Sequence, residues 1–168
     1  MTPDTKDWTW VIERPCPECG YDARSVDRAD IPAQIRATAA TVAAHAHETQ
    51  RPDDSTWSPL EYACHVRDVC ALYAARLDMM LTQDDPLYPN WDQDETAERE
   101  RYGEQEPAAV ADQVEAAGER VAAAFEAVGD DAWSRTGRRS DGASFTIDTF
   151  ARYFLHDVVH HRWDVTAR

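Results

Sequence analysis

The 168-residue sequence lacks any long apolar run. No stretch approaches the roughly 18 residues needed to span a bilayer. Its opening, Met1-Thr-Pro-Asp-Thr-Lys-Asp, has neither the basic segment nor the apolar core of a secretory signal. The expectation is a cytoplasmic chain with no membrane partner. Positive charge is also scarce: 17 Lys and Arg stand against 32 Asp and Glu, for a net charge of −15. Such a surface repels a phosphate backbone, which excludes nucleic acid as the expected partner. Lys6 is the lone lysine. Cysteines number 4, and in a reducing compartment they stay free thiols rather than a disulfide framework, so metal binding or a structural role is their expected use.

Low-complexity tracts and internal repeats are absent as well, and so is the H-E-x-x-H pattern of zinc proteases. What is present is apolar enough to fold. The composition is 43% hydrophobic and 10% aromatic, which offsets a mean hydropathy of −0.65 and suits one domain with its own core.

Residues 1–30 carry Trp8-Thr-Trp-Val-Ile and Cys16-Pro-Glu-Cys-Gly without helical periodicity, and read as an extended arm over a helical body at 31–168. Four amphipathic stretches follow. Ile31, Ile35, Ala39, Val42 and Ala46 define a first helix ended by Arg51-Pro52. A second begins with Ser58 as N-cap, Pro59 at the first helical position and Glu61 closing a capping box. Its core stripe is Ala63, Val66, Cys70, Tyr73, Leu77 and Met80. A third starts near Pro107, carries Val110, Val114, Ala117, Val121, Ala124 and Val128, and stops at Gly129. A fourth is capped by Thr146, with Phe145 and Phe150 placed as a hydrophobic staple, and its core stripe is Ile147, Phe150, Phe154, Val158, His161 or Arg162, and Val165. Between helices two and three lies a long acidic connection with Leu87, Tyr88 and Trp91 among the charges and a short helix expected near Glu95 to Tyr102. The fold class is therefore all-α, a four-helix bundle with one long crossover and an irregular N-terminal arm.

Three histidines carry the chemistry. His156 and His160 are four apart, one turn above each other, and can aim two imidazoles at one point. His65 sits on the flank of the second helix, as the pair sits on the flank of the fourth. Three protein nitrogens with one open position make a catalytic rather than a closed metal site. Asp157 and Asp164 are near enough in sequence to accept from the distal ring N–H groups. His161 lies 100° further round than His160 and cannot share a focus with His156, so it is set aside with His45 and His47. Asp92, after Trp91 in the long connection, is a candidate fourth ligand or base at the mouth of the bundle. Cys16 and Cys19 resemble half of a zinc knuckle whose other half is missing, so small buried thiols or a redox-sensitive pair are expected rather than a second zinc.

Trp57-Ser-Pro-Leu-Glu-Tyr-Ala-Cys-His65 and His156-Asp-Val-Val-His160 resemble the two motifs of the DinB/YfiT-like superfamily of metal-dependent four-helix bundles, over about residues 31–168. The resemblance implies one divalent metal on His65, His156 and His160. Zinc is the default, with nickel or iron as alternatives. It also implies a small-molecule substrate and a transferase reaction using a low-molecular-weight thiol of the mycothiol or bacillithiol kind. The alternatives are a hydrolase with hydroxide in the open position, or a non-catalytic metal-binding stress-response module. The apolar Trp8-Thr-Trp arm leaves a homodimer open.

Overall fold

The computed structural model describes residues 7–167, so the reading of Met1 to Lys6 as lacking a secretory signal lies outside the described residues. Among the described residues there are five α-helices and a small sheet: α1 (Ile31–His45), α2 (Pro59–Thr82), β1 (Leu87–Tyr88), α3 (Gln93–Arg99), α4 (Pro107–Glu126), β2 (Thr136–Arg139), β3 (Ser144–Thr146) and α5 (Ile147–Thr166). Helices α1, α2, α4 and α5 form the bundle, with α4 and α5 each packed against both α1 and α2. Among the described residues no helix is long and apolar enough to cross a membrane.

The helix starts follow from their caps. Ser58 Oγ accepts the Glu61 N–H while the Glu61 carboxylate accepts the Ser58 N–H, closing the capping box of α2. Thr146 caps α5 through the Thr149 N–H, and the Phe145 and Phe150 rings meet across it at 6.0 Å as the staple requires. Each such cap contributes about 1 kcal/mol. The bundle interior is the set of apolar stripes: Ile31, Ile35 and Val42 of α1, Val66, Cys70, Leu77 and Met80 of α2, Val110, Val114 and Val121 of α4, and Phe150, Phe154 and Val158 of α5 are all buried. Tyr73 stacks on Phe150 and Phe154 at 4.6 and 4.8 Å, which joins α2 to α5.

Two features of the bundle and its connections depart from expectation. Helix α1 ends at His45, well before Pro52, and the Glu48 carbonyl beyond it accepts the Leu60 N–H at the start of α2. The sheet is the other. β1 pairs in parallel with β2, Leu87 opposite Arg138, and β2 pairs antiparallel with β3, Gly137 opposite Phe145. It pins the acidic connection to the start of α5. Arg135 strengthens the join by donating to the Met80 and Gln83 carbonyls left open at the end of α2. Within the connection, α3 is capped by Asp92, and Trp91 turns inward.

The segment before α1 forms three short 3-10 turns at Thr9–Ile12, Ala23–Ser25 and Arg28–Asp30 rather than an extended arm. It lies along α5: the Tyr21 hydroxyl donates to the Arg152 carbonyl, and the Arg152 guanidinium donates to the carbonyls of Ala23 and Val26. Val11, Tyr21 and Ala23 are buried with the bundle core, and Trp8 stacks on Trp10 within the same chain.

Candidate metal centre

The three histidines expected to share one ion do not share one cluster. Among the described residues, two groups bring metal-ligating atoms within 4.8 Å of one another: His65 with Asp157 and His161, and His156 and His160 with Cys16 and Cys19. The cause is the register of α5. At 100° per residue, Asp157 and His161 lie within about 60° of the core residue Phe154, whereas His156 and His160 lie about 120° or more away. The first pair thus meets α2 across the bundle, and the second meets the N-terminal arm. The neighbouring rings of His160 and His161 are 6.0 Å apart and nearly perpendicular, each belonging to its own cluster.

In the inner cluster His65, 1% exposed, lies between Trp57 and Trp91, with the Trp91 ring stacked on it at 5.4 Å. Its imidazole meets that of His161 edge-on at 4.6 Å. The Asp157 Oδ1 is 3.6 Å from His65 Nε2 and 3.3 Å from His161 Nε2. These are long for hydrogen bonds. The 3.3 Å separation falls within the roughly 3.0–3.4 Å between two ligand atoms that each lie about 2.1 Å from one ion in octahedral or tetrahedral geometry, and 3.6 Å lies just beyond it. Both ring nitrogens of His65 and Oδ1 of Asp157 are shielded from solvent with no hydrogen-bond partner. Such orphaned atoms cost about 1–3 kcal/mol each unless something else satisfies them. On the far side of His161, Nδ1 donates to Asp164 Oδ2 at 2.9 Å, the arrangement that orients a ligating imidazole. The donor set fits a divalent metal.

The charge states of the three side chains are set by one another. Burial raises the Asp157 carboxyl, but His161 and His65 outweigh it and hold it below the usual carboxylate range. Burial, then the neighbouring His161, lowers His65. Burial also acts to lower His161, yet Asp157 and Asp164 prevail and push it up to about 9.

In the outer cluster Cys16 and His156 are buried, and Cys19 and His160 half-buried. Cys16 Sγ is 3.7 Å from His160 Nδ1. Burial, then the charge of His160, lowers His156 to about 4, and burial raises Cys19 to about 11. Trp8 and Tyr21 of the arm pack against the His156 ring.

A cavity of about 960 Å³ opens beside both clusters, reached by His156 and His160 on one side and Asp157 and His161 on the other. Its remaining wall is acidic, with Asp7, Glu18, Asp92 and Asp94 among its residues, and Arg139 there is already paired with Asp141. Asp92 is on this wall, but its Oδ1 accepts the Glu95 N–H as the cap of α3, and it belongs to neither cluster. His45 and His47 are spent on local carbonyls, those of Thr41 and Ala44.

The fold is a four-helix bundle in which the facing helices α2 and α5 converge an imidazole, a carboxylate and a second imidazole, a donor set that could hold a divalent metal. The chain belongs to the DinB superfamily, whose model matches residues 32–165. Its fold is similar to that of YfiT from Bacillus subtilis, described as a probable metal-dependent hydrolase with an unusual four-helix bundle topology. That similarity has a TM-score of 0.71 at 16% identity, over 92% of this chain and 88% of that one. No curated protein matches the sequence.

The sequence pattern underweighted Asp157 and His161. Their signal was present: D-x3-H repeats the i,i+4 spacing of H-x3-H one residue later, and His161 already fell on the core stripe.

Proposed function

We propose that this chain is a divalent-metal-dependent hydrolase whose ion is held by His65, Asp157 and His161 at the inner wall of the cavity. The observation that carries the reading is the buried His65 imidazole, with neither ring nitrogen hydrogen-bonded and with Asp157 and His161 facing it. The hydrolase description of the structural neighbour YfiT agrees with it. A bound divalent ion supplies Lewis acidity, which lowers the pKa of water and polarises a carbonyl or phosphoryl oxygen. The protein's own part is positional. Asp164 holds His161 in one orientation, and Trp57 and Trp91 keep solvent from the back of His65. The acidic wall favours a neutral or cationic substrate over an anionic one.

A thiol-dependent transferase is the second reading, favoured by cavity size. About 960 Å³ is at the upper end of the roughly 300–1,000 Å³ of ordinary ligand sites, which leaves room for a small thiol beside an electrophile. Metal analysis and turnover test both. The expected results are a stoichiometric ion, hydrolysis of a neutral activated ester that ceases with His161→Ala, and no dependence on added thiol. Wild-type protein without stoichiometric metal, or His161→Ala with full turnover, overturns the site. Turnover that appears only when a thiol such as mycothiol is supplied replaces hydrolase by transferase.

A further inference from the structure

We infer that Cys16, Cys19, His156 and His160 form a second, closed zinc site that clasps the N-terminal arm onto α5. Four ligand atoms of two thiols and two imidazoles meet within 4.8 Å of one another, although the cysteines and histidines are about 140 residues apart in the chain. The spacings are C-x2-C and H-x3-H, each of which lets one short element present two ligands to one ion. The Cys16-Pro-Glu-Cys-Gly turn is built for this. Gly20 takes φ +73°, its N–H donates to the Cys16 carbonyl, and the Cys16 N–H donates to the Tyr21 carbonyl, so the chain doubles back with both sulfurs turned to α5. A side chain at position 20 would be strained in that left-handed conformation.

One donor of the four is left unsatisfied by the protein, and no disulfide ties up the thiols. His156 is 4% exposed and its Nε2 has no hydrogen-bond partner, and both cysteines are free thiols. The 3.7 Å from Cys16 Sγ to His160 Nδ1 compares with about 3.6 Å for a sulfur at about 2.3 Å and a nitrogen at about 2.1 Å on one tetrahedral ion. With Nδ1 turned to the sulfur, the opposite His160 Nε2 faces Glu18 Oε2 at 3.5 Å, so the arm supplies a carboxylate behind one ligand as well as two thiolates. A set of two sulfurs and two nitrogens selects zinc among common divalent ions, and four protein ligands leave no open position. Its role is therefore structural, unlike that of the three-ligand cluster on the adjacent face of α5. By holding the arm, the site also holds Trp8 and Glu18 at the cavity wall.

The test uses the full chain expressed with zinc and kept under reductant. Wild type, Cys16→Ser/Cys19→Ser and His65→Ala are compared by metal analysis and after replacement of zinc by cobalt. The double serine variant should hold one equivalent less than wild type. Cobalt-loaded wild type and His65→Ala should both show thiolate-to-cobalt charge-transfer absorption in the near ultraviolet, and the serine variant should not. If the serine variant does not fold, the wild-type cobalt spectrum still decides. Wild type without that absorption, or serine variant and wild type with equal metal content, overturns the proposal. Loss of the His65 site alone leaves it standing.

Discussion

Asp157→Asn is the sharpest probe of the inner cluster, because it keeps the shape of the side chain and removes the charge that a cation needs. The carboxylate is the shared partner of both imidazoles, 3.6 Å from His65 Nε2 and 3.3 Å from His161 Nε2. A four-ligand zinc site is worth about 10–16 kcal/mol, so one ligand accounts for about 3 kcal/mol, or about 10²-fold in affinity. Folding stability converts this into a thermal shift. With an ion at about 1,000 times the wild-type Kd, wild type gains about 4.1 kcal/mol, and the variant, with Kd about 100-fold higher, gains about 1.4 kcal/mol. For a chain of this size each kcal/mol raises Tm by about 2–4 °C. The expected metal-induced shift is therefore about 8–16 °C in wild type and about 3–6 °C in Asp157→Asn.

Manganese is the ion to use, since carboxylate and imidazole accept it and thiolates prefer softer ions, which leaves the Cys16 cluster out of the reading. The assay is thermal unfolding by circular dichroism across a manganese titration, with Kd fitted from the Tm series. Equal shifts in the two proteins would show that Asp157 is not a ligand. No shift in wild type would remove the inner cluster as a metal site.

Asp164→Asn leaves the three ligands in place but releases His161 Nδ1 from its 2.9 Å hydrogen bond, so the same titration should show affinity weakened by about 10–100-fold at most. Glu61→Gln should lower stability by about 2 kcal/mol, because the buried carboxylate accepts from the Ser58 N–H, the Ser58 hydroxyl and the Arg51 guanidinium. Burial raises the Glu61 carboxyl, but Arg51 and Ser58 prevail and keep it below its ordinary value. Its contribution is thus complete above the unfolded pKa of about 4.3 and is lost as pH falls through the lower folded value, so denaturant midpoints of wild type and Glu61→Gln should converge in acid. Gly118→Ala would bring a methyl group to 2.5 Å from Ala39 Cβ, so α1 and α4 must part, at a cost of about 1–3 kcal/mol in urea unfolding. Adding Ala39→Gly should recover part of that loss.

The bundle was legible because its signals are local. Ser58, Pro59 and Glu61 mark the start of α2 within four residues, Phe145, Thr146 and Phe150 mark that of α5, and each helix carries its own apolar stripe. The sheet was not. Leu87–Tyr88, Thr136–Arg139 and Ser144–Thr146 are too short and too polar to alternate visibly, and the pairing of β1 with β2 joins residues about 50 apart. The metal residues fall between these cases. Helical spacing gives His156 and His160 one focus and leaves His161 out of it, yet spacing within one helix cannot say what stands opposite each flank. That depends on the arm, whose segment has no periodicity and whose course along α5 rests on hydrogen bonds from Tyr21 and Arg152 and on the CPECG turn. Once the arm covers the His156–His160 flank, the flank one residue on, with Asp157 and His161, is left to face His65 across the bundle. Two four-residue spacings overlap in His156-Asp-Val-Val-His-His161, and a rotation of about 100° sends them to different partners. A single helix thereby brings Asp157 and His161 to the His65 cluster beside the cavity on one stripe, and His156 and His160 to the Cys16–Cys19 cluster on the next. A one-residue insertion in α5 ahead of His156 would disrupt both clusters at once, whereas changes to Cys16 or Cys19 reach only the outer one.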